Sequence, residues 1–158
     1  MNMTEEPIPL PDGETISRDE GFQSWLAMND YLIECEFLVY DVEGMPENPY
    51  SEQGLRVAEA DFLRRFASAE DMLTPENREM FGKFIRFVGE VFVHALGFGW
   101  TNKPTAFDDG KPYLGIEHPA VGQIDVPRSV TAAVYRRSAD EWGFVFRNMK
   151  EDIEAADR

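Results

Sequence analysis

Four residues come nearest to chemistry by type and spacing: Lys83, Arg86, Glu90 and His94. Steps of three, four and four residues put them on one side of a helix. A chemical reading makes Glu90 a general base with His94 beside it. The plainer reading is a solvent-facing stripe with an Arg86–Glu90 ion pair and a histidine complementing the helix C-terminus. The plainer reading is the expectation, because the chain supplies no GxSxG nucleophile elbow and no Gly-rich phosphate loop to complete an active site.

The remaining reactive types are sparse. Cys35 is the sole cysteine, with apolar neighbours, and is expected to be a small buried residue on a helix. His118 precedes Pro119 at the end of a predicted strand and reads as a turn residue. Two histidines and one cysteine do not make a zinc site unaided, and neither CxxC nor HExxH occurs. Asp108-Asp109-Gly110 is too short for an EF-hand loop. No catalytic residue, metal or cofactor is therefore expected. Trp100 has two readings: a buried cap where helix meets sheet, or an exposed binding anchor.

The element that must position the Glu90 stripe runs from Thr74 to Trp100. Thr74 suits an N-cap, Pro75 the first helical position and Gly97 a left-handed close. Phe81, Phe84, Val88, Val91, Phe92 and Ala95 share a face that Ile85 and Phe87 widen, so this is read as the central helix, with Gly82 and Gly89 allowing neighbours close. Before it, residues 1–16 read as a loose arm, and Ser17-Arg18-Asp19-Glu20 is a capping box. A helix of some 25 residues is expected behind that box, with Trp25, Met28, Leu32, Cys35, Val39 and Val42 inward. Its alternative is a break near Glu36 followed by a β-prone Phe37-Leu38-Val39-Tyr40. Ser51 opens a further helix with Leu55, Ala58, Phe62, Phe66 and Ala69 inward and Glu59, Arg64, Arg65 and Glu70 solvated.

After Gly97 the pattern changes. Short strands are expected near residues 98–101, 113–117 and 122–126, with a turn at Asp109-Gly110. Pro127 starts another helix, and Ser138-Ala139-Asp140-Glu141 caps a last one carrying Trp142, Val145, Phe146, Met149 and Ile153. The fold class is α+β: long N-terminal helices around a central helix (74–97), a small antiparallel sheet (about 98–126), then two C-terminal helices, all in one domain.

With 158 residues, 43% hydrophobic and twelve of them Phe, the chain can bury a real core. Neither a signal peptide nor a membrane span is visible, so a cytoplasmic protein is expected. Charge carries more information. Residues 1–79 hold 19 acids and 5 bases, residues 80–158 hold 11 and 10, which divides the total of −15 into −14 and −1. Such a field opposes nucleic acid and anionic membrane and favours a basic protein partner; general solubility is the competing explanation.

The run Val88-Gly89-Glu90-Val91-Phe92-Val93-His94-Ala95-Leu96-Gly97-Phe98-Gly99-Trp100 resembles small acidic bacterial immunity-type proteins of polymorphic toxin systems. In these a Gly-Glu helix ends in Gly and a strand-opening Trp follows. Gly110-Lys111-Pro112-Tyr113 and Ile124-Asp125-Val126-Pro127 look similar too, so the resemblance covers residues 74–153. It implies a cytosolic, non-enzymatic protein that occludes the active site of a toxin. A toxin domain that handles nucleic acid or a phosphorylated cofactor would offer a basic cleft. The expected contact surface is Glu43, Glu47 and Tyr50 in one loop and Phe107, Asp108 and Asp109 in another, with Trp100 and Glu117 from the neighbouring strands. Two alternatives stay open: a scaffold or self-associating protein, and a small enzyme using Glu90 and His94.

Overall fold

The computed structural model describes residues 20–103 and 114–157. Its element order is α1 (Glu20–Ala27), a π-helix (Tyr31–Asp41), α2 (Glu52–Arg65) and α3 (Ala69–Met72). A 3-10 turn (Pro75–Asn77), α4 (Arg78–Leu96), β1 (Gly99–Thr101), β2 (Gly115–His118), β3 (Gly122–Asp125), α5 (Val126–Arg136) and α6 (Glu141–Ala156) complete it. The strands form one antiparallel sheet in the order β1-β2-β3, with Trp100 opposite Ile116 and Ile116 opposite Ile124. The α+β architecture expected from the sequence is the one observed. No helix among the described residues is long and apolar enough to cross a membrane.

α4 is the pillar. Every residue from Lys83 to Phe92 is buried, so this helix has no solvent face over nearly three turns. It ends at Gly97, whose φ of 79° gives the left-handed cap, with N–H bonds back to Val93 and Phe92. Thr74 does not cap it; the hydroxyl donates to the Asp71 carbonyl, and a 3-10 turn intervenes. The Phe84 and Phe87 rings meet Phe37 from the π-helix at 5.0 and 5.1 Å. Phe62 of α2 lies 5.0 Å from Phe84 and 5.2 Å from Trp142 of α6, making one aromatic core shared by four elements.

The expected long first helix is helical, but it is not one α-helix. It is interrupted at Met28 and wound as a π-helix from Tyr31, where the N–H of Val42 reaches the carbonyl of Phe37. The inward residues are Ile33, Phe37 and Val42, four and then five apart. An α-helix would carry a residue five positions on by roughly 140° around its axis, away from the core; π-winding keeps Val42 inside. The expected face holds at Trp25 and Val42 and is overturned between them. Met28 and Val39 are exposed, and Cys35, expected to be buried, is exposed as well.

Two caps from distant parts of the chain hold the helix ends. Glu59, expected in solvent, is fully buried, and its carboxylate accepts the N–H groups of Glu141 and Trp142 at the start of α6. The capping box at Ser138 thus gives way to a cap from another helix: Asp140 is the N-cap without a side-chain bond of that kind. Arg137, at φ 48°, donates to the carbonyls of Leu63, Phe66 and Ala67 at the end of α2.

Candidate functional site

From Lys83 to Glu90 the stripe is not a surface face; only His94 at its end is exposed. Lys83, Arg86 and Glu90 are each 8% exposed, roofed by α1 and the π-helix. Nor do Arg86 and Glu90 pair directly. Arg86 donates to the Trp25 carbonyl and to Asn29 Oδ1 (2.6 Å), while Asn29 Nδ2 donates to Glu90 Oε2 (3.1 Å). Asn29 is thus the bridge, and nothing in the spacing of α4 pointed to it. Its signal was in another helix: a polar side chain between Trp25 and Ile33, four residues from each.

Glu90 gathers three side-chain donors. Besides Asn29, Trp100 Nε1 donates to Oε2, and His94 Nε2 lies 3.1 Å from Oε1. Trp100 is brought in by Gly89. A Cβ there would stand 2.1 Å from the Trp100 ring, so glycine makes room for the indole. Gly82 has no such neighbour, and the close approach expected there is absent. Trp25 meets Trp100 edge-on at 5.0 Å, and the Arg86 guanidinium sits 4.0 Å over the Trp25 ring. Burial lowers the pKa of Arg86. For Lys83 burial also opposes the charge, but hydrogen bonds to Glu36 and Asp41 outweigh it and raise the pKa.

Tyr50 closes the outer side of this network. Its ring stacks on His94 at 3.9 Å and 7°, and its hydroxyl donates to Glu34 at 3.2 Å. Burial, then the charge and hydrogen bond of Glu34, push the phenol's pKa up, so it remains a neutral donor. Beside the stack is an open cleft of about 550 Å³ lined in part by Asn48, Ser51, His94 and Lys150. Ser51 is already committed there, donating to the Asn48 carbonyl and accepting the Gly54 N–H as the N-cap of α2.

The residues expected to meet a partner therefore divide. Tyr50 and Trp100 converge on the Glu90–His94 pair, and each spends its polar group on a carboxylate of the same chain. Glu117 is paired with Lys103 at 3.0 Å. Glu43 and Glu47 are exposed, and among the described residues neither has an ion-pair partner. Phe107, Asp108 and Asp109 lie outside the described residues, as does the expected turn at Gly110. His118 is a turn residue as expected, its Nδ1 accepting the Ala120 N–H.

Three residues that were not expected at a binding surface are exposed on the element that precedes Glu43 and Glu47 in the chain. Tyr31, Val39 and Tyr40 are large, apolar or aromatic, and exposed on the π-helix, Tyr40 by 79%. The available signal was the Phe37-Leu38-Val39-Tyr40 run inside a stretch without Lys or Arg from residue 19 to 55. Among the described residues no group of three or more His, Cys, Asp or Glu is placed to hold a metal ion. In comparisons with protein families, curated proteins and solved structures, nothing matches this chain.

Proposed function

We propose that this chain is an immunity-type binding protein that neutralises a basic toxin domain by occluding its active site. The observation that carries the reading is negative charge left without a partner. The stretch 19–55 has no base of its own. Lys83 is drawn inward to answer Glu36 and Asp41, while Glu43 and Glu47 stay exposed and, among the described residues, without an ion-pair partner. Unpaired surface acids raise the encounter rate with a basic cleft, and desolvated anchors then hold the complex. Co-expression with a toxin domain encoded beside it tests the reading. Growth should be restored, and an equal loss of growth with and without this chain would sink the proposal.

A second reading, a small enzyme, draws on the 3.1 Å contact between His94 and Glu90 at the wall of the cleft. In it Glu90 orients the imidazole and His94 accepts a proton from a bound substrate. Its test is His94→Ala, which removes the proton acceptor and keeps the acidic surface. Unchanged protection by that variant would leave binding as the function and eliminate the dyad.

A further inference from the structure

The winding that turns Ile33, Phe37 and Val42 inward sets the opposite side of the same helix. Tyr31, Cys35 and Tyr40 repeat the same four-then-five spacing, so they follow one line along the outer face, with Val39 beside it. Tyr31 is 50%, Val39 59% and Tyr40 79% exposed, and Cys35 is exposed too. Leaving two tyrosines and a valine in water along one line forgoes burial that the Leu38 side of the same turn obtains. Acids flank this strip: Asp30 and Glu34 on one side, Glu36 and Asp41 on the Lys83 side, with Glu43 just past the helix end.

We infer that this outer face of the π-helix is the docking surface, and that its partner is a cationic segment presenting apolar side chains between Lys or Arg residues. The inference rests on the binding reading above and gives it a place. Charge complementarity selects the occupant. A second copy of this chain would bring acids against acids, and so would residues 1–17, which hold four acids and no base. A basic segment meets Asp30 and Glu34 on one flank, Glu43 past the helix end and, on the other flank, the net charge that a single Lys83 leaves on Glu36 and Asp41. Its apolar side chains cover Tyr31, Val39 and Tyr40, a tyrosine-centred arrangement of the kind that concentrates binding energy.

The probe is a fluorescent helical peptide of leucine and lysine with one leucine face, alongside a serine–lysine peptide of equal charge. Anisotropy against the full chain should show the leucine–lysine peptide binding, more weakly as salt rises. Tyr31→Ser with Tyr40→Ser should weaken it about tenfold or more. Glu43→Lys should slow association. Leu73→Ser with Phe144→Ser, which removes exposed apolar side chains elsewhere, should change nothing. Equal binding by the double tyrosine variant would overturn this location while leaving the binding reading standing. Equal binding of the serine–lysine peptide would overturn the apolar strip. No binding of either peptide at low salt counts against the basic-partner reading itself. A wild-type dimer that the tyrosine variant converts to monomer would assign the face to a second copy and overturn the proposal.

Discussion

Glu59 and Glu90 are both buried carboxylates, and their partners set what each does. Glu90 takes side-chain donors from three elements. Glu59 takes two backbone N–H groups of α6 and, among the described residues, has no cation within ion-pair distance. Burial raises the Glu59 pKa, its two N–H bonds oppose that, and the charges of Glu141 and Asp140 add to the rise. A carboxyl raised in the fold contributes stability that is complete below its ordinary pKa and lost as pH climbs through the raised value. Glu59→Gln should therefore gain on the wild type as pH rises above about 4.5, read from urea melts across pH. Glu59→Ala leaves two buried N–H groups unpaired and should cost about 2–4 kcal/mol at low pH, and less as pH rises and the wild type loses its own contribution. Asp140 runs the other way. Its hydrogen bond to Arg147 holds its pKa down, so its contribution is present at neutral pH and lost on acidification. At Gly89 an added methyl has no room beside Trp100. Gly89→Ala should cost about 1–3 kcal/mol and blue- or red-shift the tryptophan emission as the indole moves. A variant with wild-type stability and emission would contradict that packing.

The π-helix is tied down at its C-terminal end by Lys83 to Glu36 (2.7 Å) and Asp41 (2.9 Å), and by Arg65 to the Asp41 carbonyl (2.6 Å). Lys83→Met removes the buried charge that answers two acids. Amide exchange should then rise across Tyr31–Asp41, while α2 and α6 keep their protection. Uniform loss of protection in all helices would instead make Lys83 a global stabiliser. The same elements mark how far sequence reading goes. Helices at Ser51, Pro127 and Trp142 and all three strands were legible, because apolar period and turn residues agree there. The breadth of α4 was legible in its phenylalanines. The winding of Tyr31–Asp41 was not. Leu32, Cys35 and Val39 fit an α-helical stripe as well as Ile33, Phe37 and Val42 fit a π-helical one, and only Phe84 and Phe87 across the interface decide between them. Burial of Glu59 and Arg86 was equally invisible, because their partners lie 82 and 57 residues away along the chain. Of the candidate site, Tyr50 and the Glu90–His94 pair were named from sequence; Asn29 and the outer tyrosines needed three dimensions.

For the whole molecule, the two halves of the sequence differ by charge and by task. The second half supplies most of the bases that close the fold, with Arg65 from the first: Lys83 to the π-helix, Arg137 to the end of α2, and Arg147 to Glu52 and Asp140. What is left after those pairings is an acidic surface around residues 30–47 with an aromatic strip through it. Electrostatic attraction through such a surface acts on encounter rates and is screened within about 10 Å at ordinary salt. The most direct test is stopped-flow association of the purified chain with a toxin domain encoded beside it, followed over a range of ionic strength. The expected result is a complex whose association rate falls steeply with salt while its dissociation rate changes little. Absence of a complex at low salt, or an association rate indifferent to salt, would contradict the assignment of this acidic surface to a basic toxin.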